Sequence, residues 1–581
     1  MTINSHAGSL AVSLADDGRK STPEQMDAAL QTVKQQSSAW KTLPLATKIK
    51  LLTQIITTTA RIAPRWVEAS LVAKGLRPQD TAAYEEWAAG IWPLFPTLRQ
   101  LHQALTDLQH GQHPHLPGPI TNRPDGQVVA QVFPYHLADR LFFPGITGET
   151  WMQPEVTPQA LASTQAIAYH DHTKGGKVVL VLSAGNVASI APLDVLYKMF
   201  VENHVVLLKT NPVNDYLGPL LEEAFQPLIA TGFLQVVYGG AQEGAYLCNH
   251  PNIDEIHITG SDKTFDTIVF GPGPQGTQRK AAKQPLLQKR ITGELGNVSP
   301  VIIVPGPWTS RDIAYQAEHI VTSLINNAGF NCNASRVIIQ HREWSQRAQL
   351  LRTISTTLAR RPLRKAYYPG TQQRYQAFLR AHPEAETYGT ATEDQIPWTF
   401  ITNVDAQQSD DICFQTEAFC GLCAETALSS TTIAAYLDQA VEFANQHLWG
   451  TLNVTIIVHP RTLADPTVAT ALERALTNLR YGTVALNCWA GIGFALGTTT
   501  WGAYPGHSLF DIQSGNDVVH NTLMFSQVQK TVLRAPFRGF IKPFWFFSRG
   551  KLAQIFVPLM IKLYALPYQV RRHNSQANRQ K

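Results

Sequence analysis

The spacing of apolar positions changes along the chain, and the changes predict its elements. Between residues 1 and 115 apolar residues recur at helical spacing, most clearly over Pro23–Trp40 and Ala46–Lys74. The stretch GQHPHLPGPITNRP, Gly111–Pro124, is rich in Pro, Gly and His and predicts a loop. Residues 125–170 are mixed, with short strands predicted near Gly126–Phe133. From Lys177 the pattern alternates. KVVLVLSAGN, HVVLLKTNP, FLQVVYGG and IDEIHITGS read as buried strands. IAPLDVLYKMFVEN, DYLGPLLEEAFQPLIATG and AQEGAYLCNH read as the helices between them. Such alternation predicts an α/β fold with a doubly wound parallel sheet, whose ligands lie at the carboxyl ends of the strands. Those ends are SAGN, KTNP, YGG and ITGS.

A second αβ region runs from about Thr292 to Gly482, with the helix SRDIAYQAEHIVTSLINN and the strand ASRVIIQ, and RYGTVALN belongs to a third set of strands. The expected divisions are a helical region at 1–115, a cofactor-type α/β domain at 116–291 and a second α/β domain at 292–482. Strands returning to the first domain follow at 483–525, and a basic aromatic tail at 526–581. No internal repeat, low-complexity segment or uninterrupted twenty-residue apolar span interrupts this plan.

Composition adds two points. The 44% hydrophobic content and low charge density describe a packed chain of several domains. Six scattered cysteines and an amino terminus without an apolar h-region predict free thiols in a reducing, cytoplasmic setting. The net charge of +5 is local: eleven Lys/Arg and no Asp/Glu lie between Asn521 and Lys581, leaving 37 basic against 43 acidic residues elsewhere.

The strand ends carry a series of motifs: Asn186 in SAGNVASIAP, Lys209 in LLKTNP, Gly260 and Ser261 in ITGS, and Glu294 in GELGNVSP. Cys332 follows in NNAGFNCNASR, then Glu417 and Phe419 in TEAFCG. In this order, over roughly Gly175–His520, the chain resembles the aldehyde dehydrogenase superfamily. The resemblance implies a Rossmann-type cofactor domain, a catalytic domain, a small strand-based oligomerisation element and a homo-dimer or tetramer. It implies NAD or NADP as cofactor, an aldehyde as substrate, and no metal. Cys332 stands at the nucleophile position, since a thiolate both adds to a carbonyl and later releases an acyl group. Asn186 and the Cys332 amide stand where donors meet the oxyanion. Glu294 stands at the general-base position for thioester hydrolysis. Lys209 matches the adenosine-ribose lysine, Gly260 and Ser261 a pyrophosphate-binding helix start. Glu417 and Phe419 match the nicotinamide-ribose acid and its packing partner.

The chain departs from the family in places. The acid that often follows the ribose lysine is absent at Asn211–Val213, which leaves NADP open. Asn297 replaces the second glycine of E-L-G-G, and Cys420 the glycine of E-x-F-G. Lys263, Thr264 and Phe265 occupy the stretch where a glycine is usual. GPGPQG, Gly271–Gly276, fits a dinucleotide fingerprint in letters but is expected in a loop that does not lead into a helix. Cys420 and Cys423, near Cys413, form a CxxC without a second pair or nearby His to complete a zinc site.

The tail interleaves Phe540, Phe544, Trp545 and Phe547 with Arg538, Lys542 and Arg549. Segment 530–572 is therefore a candidate for peripheral membrane contact, its apolar run Leu552–Leu566 being broken by Pro558 and Lys562. Packing on its own subunit or over a substrate tunnel is the alternative, and no base-reading motif points to nucleic acid. The leading expectation is NAD(P)-dependent oxidation of an aldehyde, in this setting a long-chain or lipophilic one, to the acid. A CoA-dependent acylating enzyme and a non-catalytic membrane scaffold are the alternatives.

Overall fold

Apolar runs over Leu234–Val237, Val205–Lys209, Val178–Leu182, Glu255–Gly260 and Arg290–Leu295 form, in that spatial order, one five-stranded sheet in the computed structural model. Every pair in it is parallel. The structure describes residues 19–171 and 175–577, and side chains as far as Gln569. The reading of the extreme amino terminus lies outside them. The chain order turns back between Val178–Leu182 and Glu255–Gly260, where a doubly wound sheet opens its ligand crevice.

An eleven-stranded sheet holds the second core. Its middle runs Val528–Arg534, Thr483–Leu486, Asn453–Ile457, Pro300–Ile303, Val337–His341, Leu422–Leu428 and Trp398–Val404, with all neighbours parallel. Glu386–Tyr388 closes one edge. Thr147–Met152, Val128–Phe133 and Ile120–Asn122 extend the other in antiparallel pairing. Segment 116–291 thus supplies strands to both sheets, and Arg290–Leu295 crosses residue 292. Of the strands expected at 483–525, Thr483–Leu486 lies inside the eleven-stranded sheet, and Trp501–Gly502 pairs with Val518–His520 in a separate two-stranded one.

Two local expectations change. Gly111–Pro124 is not wholly loop: Ile120–Asn122 pairs as an exposed edge strand, because backbone pairing there needs no apolar side chain. GPGPQG does lead into a helix, Gly273–Ala281, since a proline is tolerated in the first helical turn. It follows the helix Asp262–Phe270 and no strand, so it lacks the setting of a dinucleotide fingerprint.

The helices Pro23–Thr42, Leu45–Ala73 and Leu94–Gln109 form the amino-terminal layer. The tail closes onto it as the helix Gly550–Ala577, which continues through Pro558 and Pro567. Its inner face, including Ala553, Val557, Met560 and Tyr564, is buried. Its outer face is a stripe of Leu552, Ile555, Leu559, Leu563 and Leu566, each between 51% and 67% exposed. Several tail cations are engaged within the protein. Arg538 pairs with Asp312 at 2.8 Å and Lys542 with Glu318 at 2.5 Å. Lys530 donates to the carbonyls of Leu476, Thr477 and Leu479, capping the helix Pro466–Asn478, and burial pushes its ammonium down to about 7. Arg538 and Lys542 are thereby withdrawn from the expected role on lipid phosphates.

Candidate active site

Cys332 sits, half-buried, in the loop between the helix Ser310–Ile325 and the strand Val337–His341. The loop opens with a costly conformation: Asn327, Ala328 and Gly329 all have left-handed φ, at 54°, 57° and 82°. Gly329 is required, because a Cβ there would lie 2.5 Å from the backbone of Cys420. Asn327 is held from every side. Its N–H donates to Glu85 at 2.9 Å, and its Oδ1 accepts from Lys74 and Tyr367, each at 2.9 Å. Its Nδ2 donates to the Asn186 carbonyl at 2.8 Å. Lys74 pairs with Glu86 at 2.7 Å and Glu85 with Arg364 at 3.1 Å, all four deeply buried. Burial raises the Glu85 carboxyl.

Asn186 donates through Nδ2 to the Phe330 carbonyl at 2.8 Å, two residues before Cys332. The carbonyl of Cys332 accepts from Ser299 at 3.1 Å. The thiol itself faces Glu294, on the strand Arg290–Leu295, and the two side chains act on each other electrostatically. Burial pushes Glu294 up to about 8, with the nearby Asp194 and Glu417 carboxyls adding to it. Burial also pushes the Cys332 thiol well up, as do Glu294 and Glu417. Glu417 is raised to about 7 by burial, against the pull of Arg336 and Arg374. Gly296 makes room for it: a Cβ there would stand 2.1 Å from a Glu417 oxygen. Phe419, at φ 44°, packs on Tyr368 at 4.9 Å and Phe330 at 5.9 Å.

Cys332, Glu294 and Glu417 therefore form one electrostatic cluster, with Asn186 and Phe419 joined to it through Phe330. Lys209 and Gly260 end the two strands that flank Val178–Leu182 in the five-stranded sheet, and Ser261 follows Gly260. Ser261 caps the helix Asp262–Phe270, accepting from the Thr264 N–H at 3.1 Å. Lys209 is pushed down to about 8 by burial, with Glu243 opposing that shift.

The family profile described as "Aldehyde dehydrogenase family" matches residues 152–377. The aminoacetaldehyde dehydrogenase of Pseudomonas aeruginosa is 28% identical over 300 residues, 49% of this chain and 53% of that protein. An aldehyde dehydrogenase of a Fusarium species is 31% identical over 174 residues, 29% of this chain and 34% of that one. The alignments thus span about half of the first relative and a third of the second. The Mycobacterium tuberculosis aldehyde dehydrogenase complexed with NAD+ shares the fold at TM-score 0.59 and 16% identity, covering 90% of this chain and 92% of that one. The Pseudomonas syringae enzyme complexed with NAD+ and octanal does so at 0.58 and 16%, covering 89% and 90%.

Residues 152–377 match the aldehyde dehydrogenase family.

The departures from the family's motifs have local reasons. Asn297 is built in: it donates to Ser299 at 2.9 Å and to the Asn453 carbonyl at 3.0 Å, and accepts from the Leu452 N–H at 3.4 Å. Phe265, in the stretch where a glycine is usual, is fully buried in the core. Glu243, from the helix Ala241–Asn249, brings a carboxylate beside Lys209, where Asn211–Val213 carry none. The tertiary structure also sets His382 and Asp411 beside buried Cys413, a neighbourhood invisible in the CxxC spacing. The second group with ligand-like spacing, Glu202, His204 and Glu255, is already engaged by Lys177, Lys198 and Arg290. Lys74, Glu85, Glu86 and Arg364 are the residues that sequence reasoning missed; their only sequence signal is charge within predicted helical or polar segments.

Proposed function

We propose that this chain oxidises an aldehyde to its carboxylic acid with a nicotinamide cofactor, through a thioester on Cys332. The observation that carries the reading is the contact of the Cys332 thiol with a buried carboxyl, Glu294, in a loop anchored to Asn186. Cys332 adds to the carbonyl carbon. The second N–H of the Asn186 amide and the Cys332 backbone N–H receive the oxyanion. A bound nicotinamide supplies the hydride acceptor. Glu294 then takes a proton from water as the resulting hydroxide attacks the thioester, and Cys332 departs as thiolate.

The residues present fit such a cofactor. The cap at Ser261 opens a nine-residue helix toward an anion. The Gly296 gap admits Glu417, which would hold the nicotinamide ribose beside Phe419. Glu243 at Lys209 supports NAD over NADP, because a carboxylate there accepts from a free 2′-hydroxyl and repels a 2′-phosphate.

The buried base supports water as the acyl acceptor, since transfer to CoA needs none. The substrate we propose is lipophilic and met at a membrane surface. Phe540 and Ile541 are exposed, as are the outer stripe of the tail helix and its Lys551 and Lys562. A cavity of about 310 Å³, lined mainly by Phe142, Phe143, Phe544, Trp545 and Phe556, lies beneath. Its wall includes Cys488, next to Trp489, whose indole donates to the Asn333 carbonyl at 2.7 Å. No helix among the described residues is long and apolar enough to cross a membrane, so contact would be at the interface.

The test is reduction of NAD or NADP by aldehydes of graded chain length, with and without CoA. Turnover without CoA, lost in Cys332→Ala, is expected. Reduction only with CoA, or none with cofactor still bound, would overturn the reading.

A further inference from the structure

A row of buried polar side chains lies behind Glu294, on the face of the five-stranded sheet covered by the helix Ile190–Leu196 and its continuation to Val201. Thr259 is the register partner of Glu294, and His257 that of Thr292. Residues two apart on a strand share a face, so all four side chains project to the same side. Thr259 donates to Asp194 Oδ2 at 2.8 Å. Asp194 Oδ1 faces His257 Nε2 at 3.6 Å and His520 Nε2 at 3.5 Å. His257 Nδ1 meets Thr292 Oγ1 at 2.9 Å. Lys198 Nζ donates to the same oxygen at 3.1 Å and to Glu202 at 2.8 Å. Glu202 lines a cavity of about 600 Å³ at the far end of the sheet, with His204, Glu255, Lys177, Arg290 and Asp517.

The row departs from ordinary burial. Interior polar atoms are nearly always paired. Here Glu294 Oε1, Asp194 Oδ1, His257 Nε2, both ring nitrogens of His520, and Glu202 Oε2 have no hydrogen-bond partner. Gaps of 3.5 and 3.6 Å stand just beyond hydrogen-bond length, so a small side-chain motion closes them. Asp194 stays charged: burial opposes this, but His257 and His520 hold its carboxyl down to about 2. Burial lowers His257, which keeps that imidazole able to accept a proton.

We propose that this row is the route by which the proton taken up by Glu294 leaves the buried site. The inference rests on the dehydrogenase reading, in which aldehyde, oxidised cofactor and water give carboxylate, reduced cofactor and two protons, so protons must exit at every turnover. Glu294 passes its proton to Thr259 Oγ1 as the Thr259 hydroxyl proton moves to Asp194. Asp194 hands a proton on to His257, leaving Glu294 and Asp194 as carboxylates and His257 as imidazolium. The Lys198 ammonium first gives one of its protons to Glu202 at the cavity wall, which frees a lone pair on Nζ. Thr292 then accepts from His257 Nδ1 while giving its own hydroxyl proton to that lone pair, which restores the ammonium. His520, held on Asp194 from the strand Val518–His520, positions that carboxylate. No electron moves and no co-reactant is needed.

The experiment separates the first turnover from the steady state in Thr259→Val, Asp194→Asn and His257→Gln. Thr259→Val is nearly isosteric and guards against misfolding. The relay predicts an unchanged first-turnover burst of reduced cofactor. Steady-state turnover should fall by about tenfold or more, as loss of a proton-transfer group does. The solvent deuterium isotope effect should rise, and imidazole buffer should restore part of the rate. Equal loss of burst and steady state would mark a structural role and overturn the relay, as would full steady-state turnover in all three. A wild-type protein that reduces no cofactor would overturn the dehydrogenase reading and the relay with it.

Discussion

Lys74 and Asn327, 253 residues apart in the chain, are joined by a 2.9 Å hydrogen bond that carries the buried Lys74–Glu86 ion pair onto the left-handed turn before Cys332. The amino-terminal helical layer thus sets the geometry of the nucleophile loop. Removing one partner strands a buried charge at a cost of about 3–5 kcal/mol. Lys74→Met should lower the unfolding free energy by about that amount and slow alkylation of Cys332. The double variant Lys74→Met/Glu86→Leu should recover much of the stability but not the activity, because Asn327 still lacks its donor. Denaturant unfolding beside iodoacetamide kinetics checks both halves.

Glu294→Gln should keep a stoichiometric burst of reduced cofactor and lose turnover by about 10²–10⁴-fold, because hydride departure needs no base and hydrolysis does. Stopped-flow absorbance distinguishes this from a loss of both phases, which would mean the carboxyl acts earlier.

The raised carboxyl of Glu294 carries a pH signature. Only its ionised form accepts a proton from water, so hydrolysis-limited turnover should rise with pH toward about 8. Stability moves oppositely. A carboxyl raised on folding contributes stability that is fully present below its unfolded value, about 4.3. That contribution is lost as pH rises through the folded value of about 8. The Tm of the native protein should therefore fall across that window relative to Glu294→Gln. Parallel Tm–pH curves for the two proteins would refute the assignment.

Cofactor choice turns on Glu243 beside Lys209. Glu243→Gln should reduce the ratio of kcat/KM for NAD to that for NADP by about tenfold, the worth of one repelled or lost hydrogen-bonded charge. Glu243 also accepts from the Gly240 N–H at 2.7 Å, a bond that glutamine preserves. An unchanged ratio would place the discrimination elsewhere.

Membrane contact is best tested by point variants. Cutting the chain at residue 530 would remove most of the strand Val528–Arg534, which pairs on both sides, and the Lys530 cap. Ile555→Asp and Leu563→Asp alter exposed positions and should leave Tm within about 1 °C, as surface changes do. Flotation with vesicles containing anionic lipid should fall several-fold in both. Equal flotation of wild type and variants would assign the stripe no lipid role.

Much of this was legible in one dimension. Val178–Leu182, Val205–Lys209 and Glu255–Gly260 stood out as short apolar runs because strands covered on both faces have no polar side to show. Asn186, Glu294, Cys332 and Glu417 stood out because each occupies a short motif at an element's end. Other residues stayed mute. Asp194 and His257 sit inside a helix and a strand with nothing local to mark them. Lys74, Glu85 and Glu86 read as ordinary helix charges. Arg538 and Lys542 read as free cations because Asp312 and Glu318 lie more than two hundred residues away.

The sequence by itself determined the elements, the order of the two α/β cores and the residue types gathered at the strand ends. These follow from side-chain periodicity and backbone preference, which act over a few neighbours. Only the tertiary structure decided which charges are buried together, that Glu294 is raised, and which face of the tail remains apolar and exposed. A carboxyl's pKa and a cation's partner depend on desolvation and on Coulomb interactions over a few ångströms. Folding alone brings residues such as Lys74 and Asn327 within that range.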